Sequence, residues 1–459
     1  MNPLSRRSFL KRAGAAAPMI TAAMSVHARE KTAMSKPNIV YILVDDLGYG
    51  DLSSYGATDM QTPHIDEIMD AGMRFDQFYA NSPVCSPTRA ALLTGYYPDC
   101  VGVPGVIRTH KENTFGYLDP NVTLLPEALK PAGYDTAIIG KWHLGLEAPN
   151  LPNLRGFDYF KGFLGDMMDD YYTHLRHDIN YMRENDREIH PEGHATDLFS
   201  QWAVDYIHER EQADRPFFLY LAYNAPHTPI QPPPEWVTRV TEREPGIDQQ
   251  RAELVALIEH MDSGIGKVVK ALKTTGAYDN TLLVFVSDNG GQQNVGADNG
   301  ELRGTKVQMY EGGIRVPMGV VWPGKIAPGS RNTECACMTM DLFNTACAAA
   351  GLPAAQDLDG ANLLPLFRGE SDDVGERTLF WVRREGGGNG GLVHYATRRG
   401  DWKLCQGGGA ASPFELFNLA EDPLEENPLP RNHPMFRELL QAQTEHVIRS
   451  GSVPWQPPT

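Results

Sequence analysis

No Cys-x-x-Cys pair, no cysteine–histidine spacing of the zinc-finger kind and no internal repeat occurs in this sequence, and only six of its 459 residues are cysteine. A zinc-ribbon framework and a repeat solenoid are thereby excluded. Basic residues are also short, 41 against 58 acidic ones, for a formal net charge of −17. That balance excludes a general nucleic-acid binder, which carries a basic face, but leaves room for a small anionic substrate held by a local cation cluster. No segment is apolar over the length a membrane span requires. The chain is long for one ordinary core and reads as two domains. Glycine and proline are abundant, 44 and 34 residues, so long loops are expected.

Residues 5–11 place Arg6 and Arg7 ahead of Phe9, Leu10 and Lys11, and a mild alanine-rich stretch follows to Met24. Val26, His27 and Ala28 make an acceptable cleavage site. This is the pattern of a twin-arginine signal peptide over residues 1–28, which implies a twin-arginine translocase as partner and a periplasmic or secreted destination. No cysteine follows the apolar stretch, which argues against a lipid anchor there. Cysteines 335, 337 and 347 lie close in sequence; either a bridge among them or reduced buried thiols suits the pattern.

Short apolar runs without alternation occupy residues 38–44, 134–140, 216–223, 281–287 and 318–322. Such runs are typical of strands buried on both faces of a parallel sheet. Apolar spacing of three and four predicts helices over 123–130, 194–211 and 249–274. The alternation implies an α/β domain over residues 36–375, with ligands beyond the carboxyl ends of the strands. From Thr378 the texture changes. Strand candidates at 378–383, 392–397, 402–405 and 414–418 precede a helix at 435–449, which predicts a C-terminal antiparallel α+β subdomain over 376–459. The nearly all-glycine loop 386–391 reads as flexible and near the substrate.

The chemistry concentrates at the strand ends. Asp45-Asp46 and Asp288-Asn289 supply hard oxygen ligands of the kind calcium or magnesium takes. Pro87 predicts a helix entered near Cys85, which puts that side chain at a helix N-terminus where an anion, or a thiolate, is favoured.

Cys85-Ser86-Pro87-Thr88-Arg89 with Leu93-Thr94-Gly95 resembles the modification motif of the formylglycine-dependent (type I) sulfatases, in the alkaline phosphatase superfamily. Residues 133–143, ending in Lys141-Trp142-His143, are similar to the second motif of that family, and Gly304-Thr305-Lys306, Glu311-Gly312-Gly313 and the 414–423 segment match in type and order. The resemblance covers residues 36–459 and implies an alkaline-phosphatase-like fold: a mixed, mostly parallel sheet flanked by helices, plus a smaller antiparallel sheet with a helix. It implies that a formylglycine-generating or anaerobic maturation enzyme converts Cys85 to formylglycine (3-oxoalanine), whose hydrate attacks sulfur and later expels sulfate by re-forming the aldehyde. It further implies one calcium ion held by Asp45, Asp46, residue 85, Asp288 and Asn289. Arg89 would neutralise the hydrate, Lys141 and Lys306 would bind sulfate oxygens, His143 would take the proton of the hydrate, and His227 would protonate the leaving oxygen. Lys141 and His143, two apart in an extended segment, are expected to face one side.

The chain departs from the family at Gly165-Asp166-Met167-Met168, where many members carry a small polar residue; Asp166 is the candidate stand-in. Residues 169–174, ending in His174, resemble a loop of members acting on amino-sugar sulfates, so Asp166 and His174 are the candidate substrate contacts. The expected activity is hydrolysis of a sulfate ester, of a carbohydrate or glycosaminoglycan-like kind. A phosphonate or phosphate-diester hydrolase on the same fold and a non-catalytic sulfated-glycan-binding protein are the alternatives.

Overall fold

Alternate side chains of the strand Asn38–Val44 feed two separate cores, which is what a fully buried strand must do. In the computed structural model, which describes residues 36–353, 357–385, 392–408 and 412–454, this strand lies at the centre of a ten-stranded sheet. Thr281–Ser287 and Phe217–Ala222 flank it, both parallel, and Asp135–Lys141 and Tyr159–Phe163 continue the parallel run. Beyond Thr281–Ser287 the sheet reverses: Met318–Val321 pairs antiparallel, and Met73–Phe75 pairs antiparallel with that in turn. The short strands Met182–Glu184 and Arg187–Glu188 close the far edge as a hairpin. The twin-arginine segment and the 386–391 loop lie outside the described residues.

Ile39, Tyr41 and Leu43 point into one core, shared with the helices Cys85–Thr94, Leu125–Leu129 and Asp341–Ala349. Val40, Ile42 and Val44 point into the other, under Pro63–Ala71, Ala195–Glu209, Pro234–Arg243 and Gln249–Thr274. The last of these starts where it does because Asp248 accepts from the backbone N–H groups of Gln250 and Arg251 at 3.0 and 3.2 Å. Each large aliphatic side chain so buried contributes roughly 1.5–3 kcal/mol. Gly140 has φ 102°, and a Cβ there would collide with the carbonyl of Ala222 at 1.9 Å, so only glycine lets the strand turn into Lys141 this close to its neighbour.

The C-terminal sheet is antiparallel in sequence order: Thr378–Glu385, Leu392–Arg399, Trp402–Cys405 and Glu415–Asn418. Leu404 and Leu416 pack on Leu439 of the helix Pro434–Ser450. On the other side, Trp381, Ala396 and Phe417 join Tyr79, Ala91, Met309 and Tyr310 in a shared core, and Trp381 Nε1 donates to the Ala80 carbonyl at 2.8 Å. All six cysteines are unpaired; the sulfurs of Cys335 and Cys337 are 3.8 Å apart, against about 2.05 Å for a disulfide. No helix among the described residues is long and apolar enough to cross a membrane.

Candidate active site

Four parallel strands and one helix deliver the site to the carboxyl edge of the sheet, where open α/β sheets place their ligands. Asn38–Val44 runs into Asp45 and Asp46, Thr281–Ser287 into Asp288 and Asn289, Asp135–Lys141 ends on Lys141, and Phe217–Ala222 leads to His227. Asp46 takes φ 68°, a left-handed turn that aspartate tolerates better than most residues. The helix Cys85–Thr94 begins at the cysteine itself; its N-cap residue, Val84, makes no side-chain hydrogen bond to the first turn. Arg89 lies one turn further along.

The side chains converge. Asp45, Asp46, Cys85 and His227 present ligand-type atoms within 4.8 Å of one another, all buried. Cys85 Sγ donates to Asp45 Oδ1 at 3.2 Å. Lys141 Nζ donates to Asp45 Oδ2, and Lys306 Nζ to Asp46 Oδ2 at 2.6 Å. Arg89 donates through Nε and Nη2 to Asp288 Oδ2 at 3.0 and 2.7 Å. His227 Nε2 lies 3.6 Å from Asp46 Oδ2, while its Nδ1 bonds the Thr228 carbonyl at 2.8 Å. His143 Nε2 bonds the Ile107 carbonyl at 2.8 Å. Its backbone is left-handed, φ 59°, which corrects the expectation of a continuous extended segment: the chain turns at His143 to bring the ring in.

Burial and charge set the protonation of the cluster. Burial raises the Asp45 carboxyl, but Lys141, His227, Arg89 and Lys306 outweigh it and hold Asp45 well below the usual carboxylate range. Burial and then Asp45 push Asp288 up to about 7. Burial and the Asp45 carboxylate push the Cys85 thiol well above its ordinary value. The expected helix-activated thiolate is therefore corrected: the carboxylate beside it outweighs the helix end. Burial, helped by Lys141 and Arg89, lowers His143 well below the usual histidine range, so it is neutral at neutral pH.

Two buried polar atoms of the residues named for the cluster, Asn289 Oδ1 and His143 Nδ1, have no hydrogen-bond partner among the described residues. Uncharged acceptors left unmatched in a buried site carry a desolvation cost, and each needs an explanation. Asn289 Oδ1 together with the Asp45, Asp46 and Asp288 oxygens makes a hard-oxygen set of the kind a calcium or magnesium ion takes.

The two candidate substrate residues make their own contacts outside the cluster. Asp166 Oδ1 is 3.3 Å from Arg176 Nε, and His174, in a left-handed turn, bonds the Gly193 carbonyl at 3.0 Å. Among the described residues neither shares a hydrogen bond or ion pair with the cluster. Their segment meets the site at two points: the Leu164 carbonyl accepts from the His143 N–H at 3.2 Å, and the Tyr171 hydroxyl donates to the His227 carbonyl at 2.8 Å. Tyr171 lies inside the 169–174 loop that the sequence singled out and Thr228 follows His227 directly, but the Ile107 carbonyl carries no motif, and only packing discloses it.

A carboxylate-rich strand edge facing a helix-terminal residue and ringed by arginine, lysines and histidines is the arrangement that the resemblance to the alkaline phosphatase superfamily leads one to expect. Comparison with known proteins narrows this. The sulfatase family model matches residues 37–352, and a model described as N-sulphoglucosamine sulphohydrolase, C-terminal, matches residues 304–450. N-acetylgalactosamine-6-sulfatase of Homo sapiens is 32% identical over 469 residues, covering 92% of this chain and 87% of its own. Arylsulfatase G of Mus musculus is 32% identical over 479 residues, covering 90% and 86%. Among solved structures, that of Ps i-CgsB in complex with k-i-k-neocarrahexaose superposes with a TM-score of 0.84 at 32% identity, covering 93% of this chain and 96% of that one. The chain belongs to the sulfatase family and is a sulfuric ester hydrolase.

Proposed function

We propose that the protein hydrolyses a carbohydrate sulfate ester, with residue 85 carried as formylglycine and one calcium ion held by Asp45, Asp46, residue 85, Asp288 and Asn289. The observation that carries this reading is the convergence of Cys85, Asp45, Lys141, Lys306, Arg89, His143 and His227 at one buried point. The saccharide substrate is supported by the relatives, one named for an N-acetylgalactosamine sulfate and another solved with a carrahexaose. The buried thiol of Cys85 is also a poor nucleophile beside Asp45, which favours a converted side chain.

When bound, calcium would supply Lewis-acid polarisation and a fixed seat for the nucleophile. A formylglycine hydrate would supply a hydroxyl to attack sulfur and a second one through which sulfate is released. The residues of the chain do the rest. Lys141 and Lys306, whose ammonium groups meet the carboxylates from two sides, bind the oxygens of the ester as charge builds on them. Arg89 stays paired with Asp288 and neutralises the centre behind residue 85. His143 donates its Nε2 proton to Ile107, which leaves the bare Nδ1 as the proton acceptor at the residue 85 hydroxyl. His227 donates Nδ1–H to Thr228 and presents Nε2 to the leaving oxygen; burial lowers its pKa, which makes the imidazolium a stronger acid than usual toward that oxygen.

Export through the twin-arginine translocase to the periplasm or beyond belongs to the same proposal, and rests on Arg6, Arg7 and the stretch that follows. Maturation belongs to it too, by a formylglycine-generating or anaerobic enzyme. The test is sulfate release from defined sulfated saccharides together with the mass of the residue 85 peptide. Cys85→Ala should lower turnover ~10⁴-fold or more with the fold intact. Full turnover in that variant, or an ordinary thiol mass in active protein, would end the reading.

A further inference from the structure

The C-terminal sheet touches the machinery at two points through one strand, Thr378–Glu385. Arg383 and Glu385, two apart on that strand, share a face and are both buried; Arg383 Nη2 donates to Glu385 Oε2 at 2.6 Å. Arg383 Nη1 donates to the Val307 carbonyl at 3.0 Å. Val307 follows Lys306 directly and has φ 75°, a conformation that β-branched residues rarely adopt. Its own N–H donates to the Pro83 carbonyl at 3.0 Å, two residues ahead of Cys85. The strained peptide that carries Lys306 is thus pinned on one side by the Cys85 turn and on the other by Arg383.

Glu385 makes the second contact. Its Oε1 accepts from the Val106 N–H at 3.0 Å and from Arg108 Nη2 at 3.3 Å. The next residue, Ile107, donates its N–H to Ser86 Oγ at 3.0 Å, and its carbonyl takes the Nε2 proton of His143 at 2.8 Å. One buried ion pair outside the sulfatase motifs therefore ends on the neighbours of both Lys306 and His143.

We infer that Arg383 and Glu385 are positioning residues, a clamp by which the C-terminal sheet sets Lys306 and His143 about residue 85. The inference rests on the roles given to those two residues above. A misplacement of about 1 Å at a reacting group is enough to lower rate ~10²-fold, so a clamp of this kind is visible in kcat.

The test is steady-state hydrolysis of a small aryl sulfate by matured, full-length protein. Arg383→Met is expected to lower kcat ~10–100-fold with little change in KM. Adding Val307→Gly should recover much of that loss, because glycine holds φ 75° without a clamp. Glu385→Ala should lower kcat about tenfold and move the limb of the pH profile that reports His143, and Glu385→Gln, which keeps an acceptor for Val106, should restore both. Arg449→Gln, which breaks a C-terminal pair with Asp359 that shares no bond with Arg383, Glu385, Val307 or Val106, should change neither. Should Arg383→Met not fold, Arg383→Lys carries the test, since it keeps the charge but lacks the planar fork that meets Val307 and Glu385 through separate nitrogens. Turnover that falls with Lys306→Ala yet ignores the Arg383 and Glu385 variants overturns the clamp alone, as does failure of Val307→Gly to rescue. Full turnover in Lys306→Ala and His143→Ala overturns the roles beneath it and the clamp with them.

Discussion

Among the described residues of the site, His143 and Asn289 each keep one polar atom bare, and the proposed roles of proton acceptor and metal ligand would use those atoms. A third buried group is mismatched for a structural reason. Asp262 accepts from the N–H groups of His64 and Ile65 at 3.1 and 2.7 Å, at the start of the helix Pro63–Ala71. Burial raises its carboxyl, the two N–H groups only partly offset this, and it sits at about 7. A carboxyl whose folded value exceeds its unfolded one binds an extra proton in the fold, so stability is fully present below the unfolded value near pH 4 and is lost as pH rises toward 7. Asp262→Asn keeps an acceptor and removes the titration. It should flatten the fall in stability between about pH 5 and pH 8 and gain on the order of 1–4 kcal/mol over the parent at pH 8. Chemical denaturation at the two pH values checks this, and a variant that keeps the parental slope refutes it. Cys85, Lys141, His143, His227 and Lys306 were legible through the motifs of the family the chain resembles; Lys306 itself lies in a turn between the strand Thr281–Ser287 and Glu311. Arg383 and Glu385 were not, since an Arg-x-Glu in a short strand is indistinguishable from surface charge until the sheet is docked.

At the scale of elements, the C-terminal sheet is fastened by a lysine buried between two glutamates. Lys403 Nζ lies 2.8 Å from both Glu311 and Glu425, with all three side chains essentially inaccessible. Burial raises Glu311 but Lys403 and Arg315 bring it down to about 2, whereas burial wins at Glu425 and holds it up near 7. Lys403→Met removes the cation between the two, leaving Glu425 unpaired and Glu311 to Arg315, a change that costs about 3–5 kcal/mol. Urea unfolding should show it as a lower midpoint, and a loss under about 1 kcal/mol would count against the fastening. The strands from Thr378 onward were predicted because each is short, apolar and bounded by turn residues. The helices Pro63–Ala71, Pro234–Arg243 and Asp341–Ala349 went unread: two open on proline and carry few apolar positions, and the third is small-residue rich.

At the scale of the whole molecule, the parallel centre of the sheet was legible from apolar runs, while its antiparallel edge was not. Met318–Val321 reads like the other runs, and only its partner in space reverses it. The same scale governs the ion. Lys141, Lys306 and Arg89 pair with Asp45, Asp46 and Asp288 within the chain itself, so chelation should abolish turnover without unfolding the protein. At a calcium concentration ~100 times its Kd, binding adds about 2.7 kcal/mol, which for a chain this long moves Tm by about 3 °C. Activity assays and thermal scans with chelator and then restored calcium check both halves; turnover that survives exhaustive chelation would remove the ion from the scheme.

Cys85 is only 3% exposed, and the residues on either side of it, Pro83 and Ser86, are bonded to segments tied in turn to Arg383 and Glu385, late in the chain. If that side chain is converted as proposed, the converting enzyme has a deadline: it must work while the polypeptide is still open, before the last third has closed over it. A molecule that wins the race to fold is then shut out of its own chemistry for the rest of its life.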